Sequence, residues 1–186
     1  MLAAARALLA EEGLDAVTMR ALAQRLDVSP NALYSHVPSK AALVDDVLDD
    51  VLAEVEEPDP ETGDATAGLH ALMASTHEVL LAHPDLVPLY LARQGARGPN
   101  ARHLGDVMLA LLARAGVTGP EAREALRVLI VYTIGFAAFE VRTQPVLGDE
   151  PDPPSGELNR NFDAGLRWLL AGIGAGAPRR RRSRTR

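Results

Sequence analysis

The pattern of apolar positions along the chain predicts helices. From Lys40 to about Glu56, leucine and valine recur three and four residues apart, and paired aspartates occupy the remaining positions. This spacing places the apolar side chains on one face of a helix and the aspartates on a solvated face. The same periodicity predicts further helices over residues 2–12, 67–83, 85–94, 99–115, 121–143 and 155–173.

Two shorter helices are predicted in the first quarter of the chain. Thr18 is a candidate N-cap for the first of them, which stops at Asp27. Ser29 and Pro30 supply an N-cap and a residue whose φ is preset for the first helical position, so a second helix begins at Pro30. Pro38 prevents a long continuation of this helix. Two short helices joined by a tight turn are the layout of a helix-turn-helix, whose second helix enters the major groove of DNA.

The stretch TMRALAQRLDVSPNALYSHVPSK resembles the N-terminal DNA-binding domain of the tetracycline-repressor (TetR) family. The shared pattern is Thr-Met-Arg-x-Leu-Ala-x-x-Leu-x-Val-Ser-x-x-x-Leu-Tyr-x-His-Val-x-x-Lys, and it runs without a gap from Thr18 to Lys40. A weaker likeness to the helical C-terminal domain of that family lies in HPDLVPLYLARQGARGPNARHL and in the apolar helix after Pro120. The resemblance implies an all-α fold of about nine helices. An N-terminal three-helix domain with a helix-turn-helix would precede a helical ligand-binding and dimerisation domain.

The resemblance also implies which residues contact DNA. Asn31 and Ser35 would face base edges, and Ala32 a thymine methyl group. Tyr34 and His36 would hold phosphates, unless Tyr34 only packs and His36 is structural. The complete set of expected DNA contacts is Thr18, Arg20, Pro30, Asn31, Ala32, Tyr34, Ser35, His36 and Lys40.

Composition divides the chain into four expected segments. Residues 1–56 form the helix-turn-helix domain, including the connecting helix from Lys40. Residues 57–66 lack leucine, valine and isoleucine and contain proline, aspartate and glutamate, so they are expected to be a linker. Residues 67–175 form the ligand-binding and dimerisation domain. Residues 176–186 are an arginine-rich tail that is expected to be disordered, and it either solubilises the protein or adds sequence-independent attraction to phosphate.

A pocket for a small-molecule effector is implied in the C-terminal domain. Its candidate lining combines apolar side chains with a few polar anchors, which is typical of ligand sites. The candidate residues are Met73, Thr76, His77, Leu80, His103, Leu111, Phe136, Phe139 and Glu140. Simple core packing is the alternative for the Met and Phe residues. A metal-chelating set of His77, His103 and Glu140 is conceivable, but ordinary histidines explain the pattern more simply, and no metal site is predicted.

The apolar faces of the last two long helices are too broad for one neighbour. In the resembled family these helices pair with those of a second subunit as a four-helix bundle, and burial within the same domain is the alternative. The expected interface residues are Leu126, Ile130, Thr133, Ile134, Ala137, Val141, Phe162, Leu166, Leu169, Leu170 and Ile173. A two-fold dimer would bind a palindromic operator with half-sites about one helical turn or slightly more apart.

Charge weighs against nucleic-acid binding unless it is suitably placed. The chain has a net charge of −6, and its first fifty residues carry eight carboxylates and four cations. DNA-binding domains usually present a basic face. Binding therefore requires that Arg20, Arg25 and Lys40 converge on one side of the domain.

Several classes of protein are disfavoured by what the sequence lacks. It contains no cysteine, which excludes disulfides, thiol catalysis and cysteine-ligated zinc. It has no apolar run of membrane-spanning length and no signal-peptide order, so a cytoplasmic location is expected. No catalytic triad, phosphate loop or carboxylate dyad lies in a recognisable frame, so no enzyme is predicted and no cofactor is expected besides the effector.

These observations predict a dimeric, sequence-specific DNA-binding transcriptional regulator. The resemblance implies a repressor that a small-molecule effector in the C-terminal domain releases from double-stranded DNA. The alternative is a helical interaction protein that keeps the fold but has lost specific DNA binding, which the acidic net charge permits.

Overall fold

The computed structural model describes residues 1–61, 63–141 and 155–176, with side chains from 160 to 175 in the last range. Within these ranges all regular secondary structure is helical, as predicted. The nine α-helices are α1 Leu2–Glu12, α2 Met19–Arg25, α3 Pro30–Tyr34, α4 Lys40–Val51, α5 Ala65–Ala82, α6 Val87–Arg93, α7 Pro99–Arg114, α8 Gly119–Val141 and α9 Ser155–Gly176. Short 3₁₀ turns, Leu52–Glu54 and Pro84–Leu86, follow α4 and precede α6.

Side-chain caps fix where the N-terminal helices begin. The oxygens of Thr18, Ser29 and Ser39 accept hydrogen bonds from backbone N–H groups in the first turns of α2, α3 and α4. These caps satisfy donors that a helix leaves unpaired at its start. The Asp64 carboxylate caps α5 in the same way at 2.7 Å, which explains why this helix begins two residues before its predicted start.

Helices α1 to α4 pack as one small bundle. Leu22 of α2 and Leu43 and Leu48 of α4 are fully buried at its centre, and Leu33 of α3 is buried beside them. The α4 helix ends at Val51, earlier than its predicted end at Glu56, because the chain tightens there into the first 3₁₀ turn. This bundle positions α3 at the surface.

Helices α5 to α9 form the second part of the molecule. The α5 helix packs against α7, α8 and α9, and α6 packs against α8. The α4 helix also contacts α7, so it touches both parts. The arginine-rich tail predicted over residues 176–186 and the predicted end of α8 at Thr143 lie outside the described residues, apart from Gly176.

Candidate DNA interface and effector cavity

Helix α3 is anchored on one side and exposed on the other. Leu33 is 5 % exposed and Val37, just beyond the helix, is 1 % exposed, so both anchor this segment in the bundle. The exposed positions are Pro30, Asn31, Ala32, Tyr34, Ser35 and His36, and the Tyr34 side chain is half exposed. All six residues of this segment that are predicted to contact DNA are therefore exposed.

Two hydroxyl groups near this surface already make intramolecular hydrogen bonds. Ser35 Oγ donates to the carbonyl oxygen of Ala32 at 2.7 Å, so the hydroxyl oxygen remains free only as an acceptor. Thr18 Oγ1 accepts from the N–H of Ala21 at 3.0 Å, so its proton remains available to a phosphate oxygen. The two residues are suited to different contacts.

The three cations expected to converge are not equally available. Arg25 forms an ion pair with Glu11, with nitrogen–oxygen distances of 2.6 and 2.7 Å, and this pair lowers the pKa of Glu11. Lys40 Nζ donates to the carbonyl oxygen of Leu14 at 2.7 Å. Arg20 is exposed and forms no ion pair within the part of the chain that the structure describes. Of the three cations that DNA binding requires on one side of the domain, Arg25 is thus already paired with a carboxylate.

The turn between α2 and α3 has an unusual backbone at Asp27. Its φ is 53°, in the left-handed region that favours glycine and that Asp and Asn tolerate best among other residues. The following N–H, of Val28, donates to the carbonyl oxygen of Ala23 at 3.0 Å and closes the turn. Asp27 thus sets the angle at which α3 leaves α2.

A partly open cavity of about 120 Å³ lies in the C-terminal part of the molecule. Met73, Thr76 and Leu80 of α5 line it, as predicted for an effector pocket. Further lining comes from α6, α7, α8 and the loop that follows α6. The predicted lining did not include Tyr90 or the small residues of α7. Small residues such as Ala101 and Gly105 give no distinctive pocket signal in a sequence.

Three predicted pocket residues lie elsewhere. Phe139 is 66 % exposed, so it faces away from the cavity. Leu111 of α7 is fully buried and packs against α5 beside Gly68. His103 is largely exposed, with its Nε2 2.7 Å from Glu57 Oε2. This position excludes the conceivable chelate of His77, His103 and Glu140, and no cluster of three metal-ligating side chains occurs among the described residues.

The other three predicted pocket residues, His77, Phe136 and Glu140, lie together outside the cavity lining, and His77 is fully buried. The His77 ring stacks on Phe162 at 3.8 Å between centroids and meets the edge of Phe136 at 6.0 Å. His77 Nε2 lies 3.4 Å from Glu140 Oε1. Burial lowers the pKa of His77 to about 4 and raises the pKa of Glu140. In both cases burial disfavours the charged form.

Tyr90 connects the cavity to α4. Its ring is 1 % exposed and lines the cavity, and its hydroxyl donates a hydrogen bond to the carbonyl oxygen of Leu48 in α4. Burial raises the pKa of Tyr90, so the hydroxyl remains a donor. One turn further along α6, Arg93 donates to the carbonyl oxygen of Ala41 at 2.8 Å and pairs with Asp45 at 3.1 Å. The α6 helix thus contacts α4 at two positions, near its end at Leu48 and near its start at Ala41 and Asp45.

Asp49 connects α4 to the start of α7. Its carboxylate is 4 % exposed and accepts from the N–H groups of Asn100 at 3.0 Å and Ala101 at 2.9 Å. The Asn100 side chain donates back to the carbonyl oxygen of Asp49 at 3.1 Å. A Cβ at Gly98 would lie 2.2 Å from Asp49 Cγ, so only glycine leaves room for this contact. The prediction that the α4 aspartates form a solvated face is therefore wrong for Asp49.

The predicted subunit interface needs correction. Six of its residues are buried inside their own subunit and cannot form its surface: Thr133, Ile134, Ala137, Phe162, Leu166 and Leu170. Ile130, Thr133 and Ile134 line the cavity instead. Among the described side chains of α8 and α9, the exposed large apolar residues are Val128, Val131, Phe139 and Trp168, and the last three are 70 %, 66 % and 78 % exposed. Leu126, Val141, Leu169 and Ile173 are half-buried beside them.

Comparison with known families gives a match for each of the two parts of the molecule. Residues 1–47 match the family described as bacterial regulatory proteins, tetR family. Residues 57–155 match the tetracyclin repressor-like C-terminal domain. The chain belongs to the TetR family. The resemblance that the segment from Thr18 to Lys40 suggested is thereby confirmed over both domains.

TetR-family relatives match almost the whole chain. An HTH-type transcriptional regulator of Saccharopolyspora erythraea is 31 % identical over 95 % of this chain and 84 % of its own length. ActR of Streptomyces coelicolor, solved in complex with (S)-DNPA, is 29 % identical with a TM-score of 0.80, covering 95 % of this chain and 96 % of its own. BioQ, solved with its natural double-stranded DNA operator, is 27 % identical with a TM-score of 0.71 and covers 94 % and 95 % of the two chains.

Membership of the TetR family makes this protein a DNA-binding transcriptional regulator, as predicted. Its fold agrees with that assignment, because an exposed short helix and an internal cavity are both present. Across the described ranges, no helix combines the length and the apolar character that a membrane span requires.

Proposed function

We propose that this protein is a dimeric repressor whose two α3 helices bind one palindromic operator, and that a small-molecule effector in the cavity releases it. The observation that carries this proposal is the link from the cavity to α4. Tyr90 lines the cavity and donates to α4, while α4 begins six residues after Tyr34, at the end of α3. A change at the cavity is thus transmitted through Tyr90 and α4 to α3, the helix proposed to contact the bases.

The exposed residues of α3 have chemistry suited to DNA. The Asn31 amide can donate to and accept from the edge of adenine in the major groove, and the exposed Ala32 methyl fits against a thymine methyl group. Tyr34 and His36 can hold phosphates, as can Thr18, Arg20 and Lys40 at the flanks. Pro30 starts the helix without an N–H that would need a partner.

Control by an effector requires that the two α3 helices change their relative positions. In a two-fold dimer, both must reach successive major grooves, whose centres are about 34–36 Å apart. Tyr90, Arg93 and Asp49 hold α4 to α6 and α7. An effector that stabilises a different arrangement of these helices shifts the equilibrium by its difference in affinity for the two arrangements.

The subunits are proposed to meet through α8 and α9. Val131, Phe139 and Trp168 form the most exposed apolar surface of these helices. Exposed apolar area of this kind is stabilised by burial against a second copy. Within the dimer, residues 1–56 form the reading domain, 57–66 the linker and 67–175 the effector and dimerisation domain, and residues 176–186 add attraction to phosphate.

DNA binding tests the proposal. Fluorescence anisotropy with labelled duplexes from the DNA flanking the gene should reveal one duplex that binds far more tightly than a shuffled duplex. Asn31→Ala should weaken binding to that duplex by about 1–3 kcal/mol and reduce the preference for it, because the base contact is lost. Asp106→Asn, at an exposed position of α7, is the matched control and should bind like the wild type.

The alternative function, a helical interaction protein without specific DNA binding, predicts a different result. Wild type and Asn31→Ala would then bind every duplex equally weakly. The family assignment and the exposure of α3 favour the repressor.

A further inference from the structure

Gly105 lies in the middle of α7 and lines the cavity. Glycine destabilises the interior of a helix relative to alanine, so its presence there needs a reason. Close packing is the usual one, and it holds for Gly68 of α5, where a Cβ would lie 2.9 Å from Leu111 Cδ2. A Cβ at Gly105 would have no atom of another element within 4 Å. The missing side chain therefore leaves open volume in the cavity and relieves no contact.

The walls around this open volume are apolar. Ala101, Leu104 and Met108 of α7 lie beside Gly105, and Ile130 and Ile134 of α8 lie across the cavity. None of the residues described around the cavity carries a charged side chain. An ion placed there would lose its hydration without gaining a partner of opposite charge. The cavity therefore favours neutral molecules.

The polar groups around the cavity mostly offer acceptors. Thr76 Oγ1 already donates to the carbonyl oxygen of Leu72 at 2.8 Å, so it can only accept a further bond. The Tyr90 hydroxyl proton is likewise engaged with Leu48. Gln94 adds an amide, which can both donate and accept. A ligand with a hydroxyl-type donor suits these groups best.

We infer that the effector is a neutral, mainly apolar molecule with a hydroxyl-type donor, and that its apolar body lies against the α7 backbone at Gly105. The cavity of about 120 Å³ is close in size to apolar cavities of roughly 150 Å³ that bind benzene. One ring therefore fits inside, and the remainder of the molecule occupies the open side. This inference rests on the proposed effector-controlled function, but binding at Gly105 is measurable without DNA.

Three probes that share one skeleton test the charge preference. 1-Naphthalenemethanol is neutral, 1-naphthoate is an anion and 1-naphthylmethylammonium is a cation at pH 7. Isothermal titration with the full-length protein should give a dissociation constant for the alcohol at least tenfold lower than for either ion. Equal or tighter binding of an ion, or no binding of the alcohol up to its solubility limit, overturns the inference.

Substitution of Gly105 tests the position. Gly105→Ala places a methyl group in the open volume, so it should raise the dissociation constant of 1-naphthalenemethanol at least fivefold, and Gly105→Leu should abolish binding. Gly105→Ala should also raise the melting temperature, because alanine favours the helix and meets no other element. If Gly105→Ala is folded and binds the alcohol more weakly, the weaker binding results from lost cavity volume and not from misfolding.

Gly174→Ala is the matched control, because Gly174 lies in α9, away from the cavity, and a Cβ there also has no atom within 4 Å. It should bind the alcohol like the wild type. Unchanged binding by Gly105→Ala, or equal weakening by Gly174→Ala, would contradict binding of the alcohol at Gly105. If the alcohol binds at Gly105 but no duplex binds the protein, the proposed repressor function fails and the ligand site stands.

Discussion

His77 is the side chain whose charge state burial controls most clearly. It is 1 % exposed, stacks on Phe162 and lies 3.4 Å from Glu140. Its pKa of about 4 in the folded protein lies below the ordinary value of 6.5. Between these two pH values the unfolded chain binds the proton and the folded protein does not, so stability falls as pH falls from 6.5 to 4.

We predict that His77→Phe reduces this loss of stability. The shift corresponds to roughly 3 kcal/mol across the interval, as an order of magnitude. The raised pKa of Glu140 acts in the opposite direction, because a neutral carboxyl favours the folded state at low pH. Glu140 is present in both proteins, so the difference between wild type and variant reports the effect of removing the imidazole beside it. Urea unfolding at pH 7 and pH 4, at one protein concentration, measures it, and parallel curves for the two proteins would contradict the assignment.

At the residue scale, capping was predictable and burial of polar groups was not. Thr18, Ser29 and Ser39 precede helices in positions where hydroxyls accept backbone N–H bonds, and each of them does so. Asp49 belongs to a pair of aspartates on the polar side of a periodic helix, so the pattern favoured solvent. Its burial depends on α7, whose position relative to α4 no local pattern contains.

At the scale of elements, α4 is the helix that both parts of the molecule share. Tyr90 of α6 bonds to its last turn and Arg93 to its first turn, and Asp49 reaches from it to the N-terminus of α7. The α7 N-terminus carries partial positive charge, so a carboxylate there is stabilised both as an acceptor and by its charge.

We predict that Asp49→Asn destabilises the protein by about 1–2 kcal/mol, because the charge at the start of α7 is lost and one acceptor becomes a donor. Asp46→Asn is the matched control, since Asp46 lies on the same helix and is exposed. It should change the free energy of unfolding by less than about 0.5 kcal/mol. Urea unfolding of both variants measures the difference, and equal effects would show that Asp49 has no special role.

Helix periodicity could identify the long helices but not their partners. The α8 helix carries apolar residues around most of its circumference, and the sequence does not indicate which of them face the subunit's own core. In the structure, Thr133 and Ala137 are buried while Val131 and Phe139 are exposed. The effector cavity was only partly predictable for a related reason. Gly105 contributes to it by lacking a side chain.

At the scale of the whole molecule, the exposed face of α8 and α9 determines whether two reading domains act together. We predict that Val131→Glu yields monomers at concentrations where the wild type is dimeric, because a carboxylate buried between two apolar faces would lack a partner. Sedimentation velocity measures the change. Leu91→Glu is the control, since Leu91 is a half-exposed apolar residue of α6, a helix that is not part of the proposed interface. A dimeric Val131→Glu protein would place the interface elsewhere.

Net charge is a whole-molecule property that proved a weak guide to function. The chain carries −6, yet its family binds DNA. Some acidic side chains within residues 1–56 form ion pairs, including Asp50 with Arg6 at 3.5 Å and Glu11 with Arg25. Placement of charge relative to α3 matters more than its sum.

Hydroxyl-radical footprinting of the wild-type protein on the duplex it binds most tightly tests the central claim most directly. Two copies of α3 on one face of the duplex predict two protected patches, related by the two-fold symmetry of the sequence and separated by about one helical turn or slightly more. Val131→Glu at the same concentration should protect neither patch fully. A single asymmetric patch, or equal protection of unrelated duplexes, would contradict a dimer that reads its operator through α3.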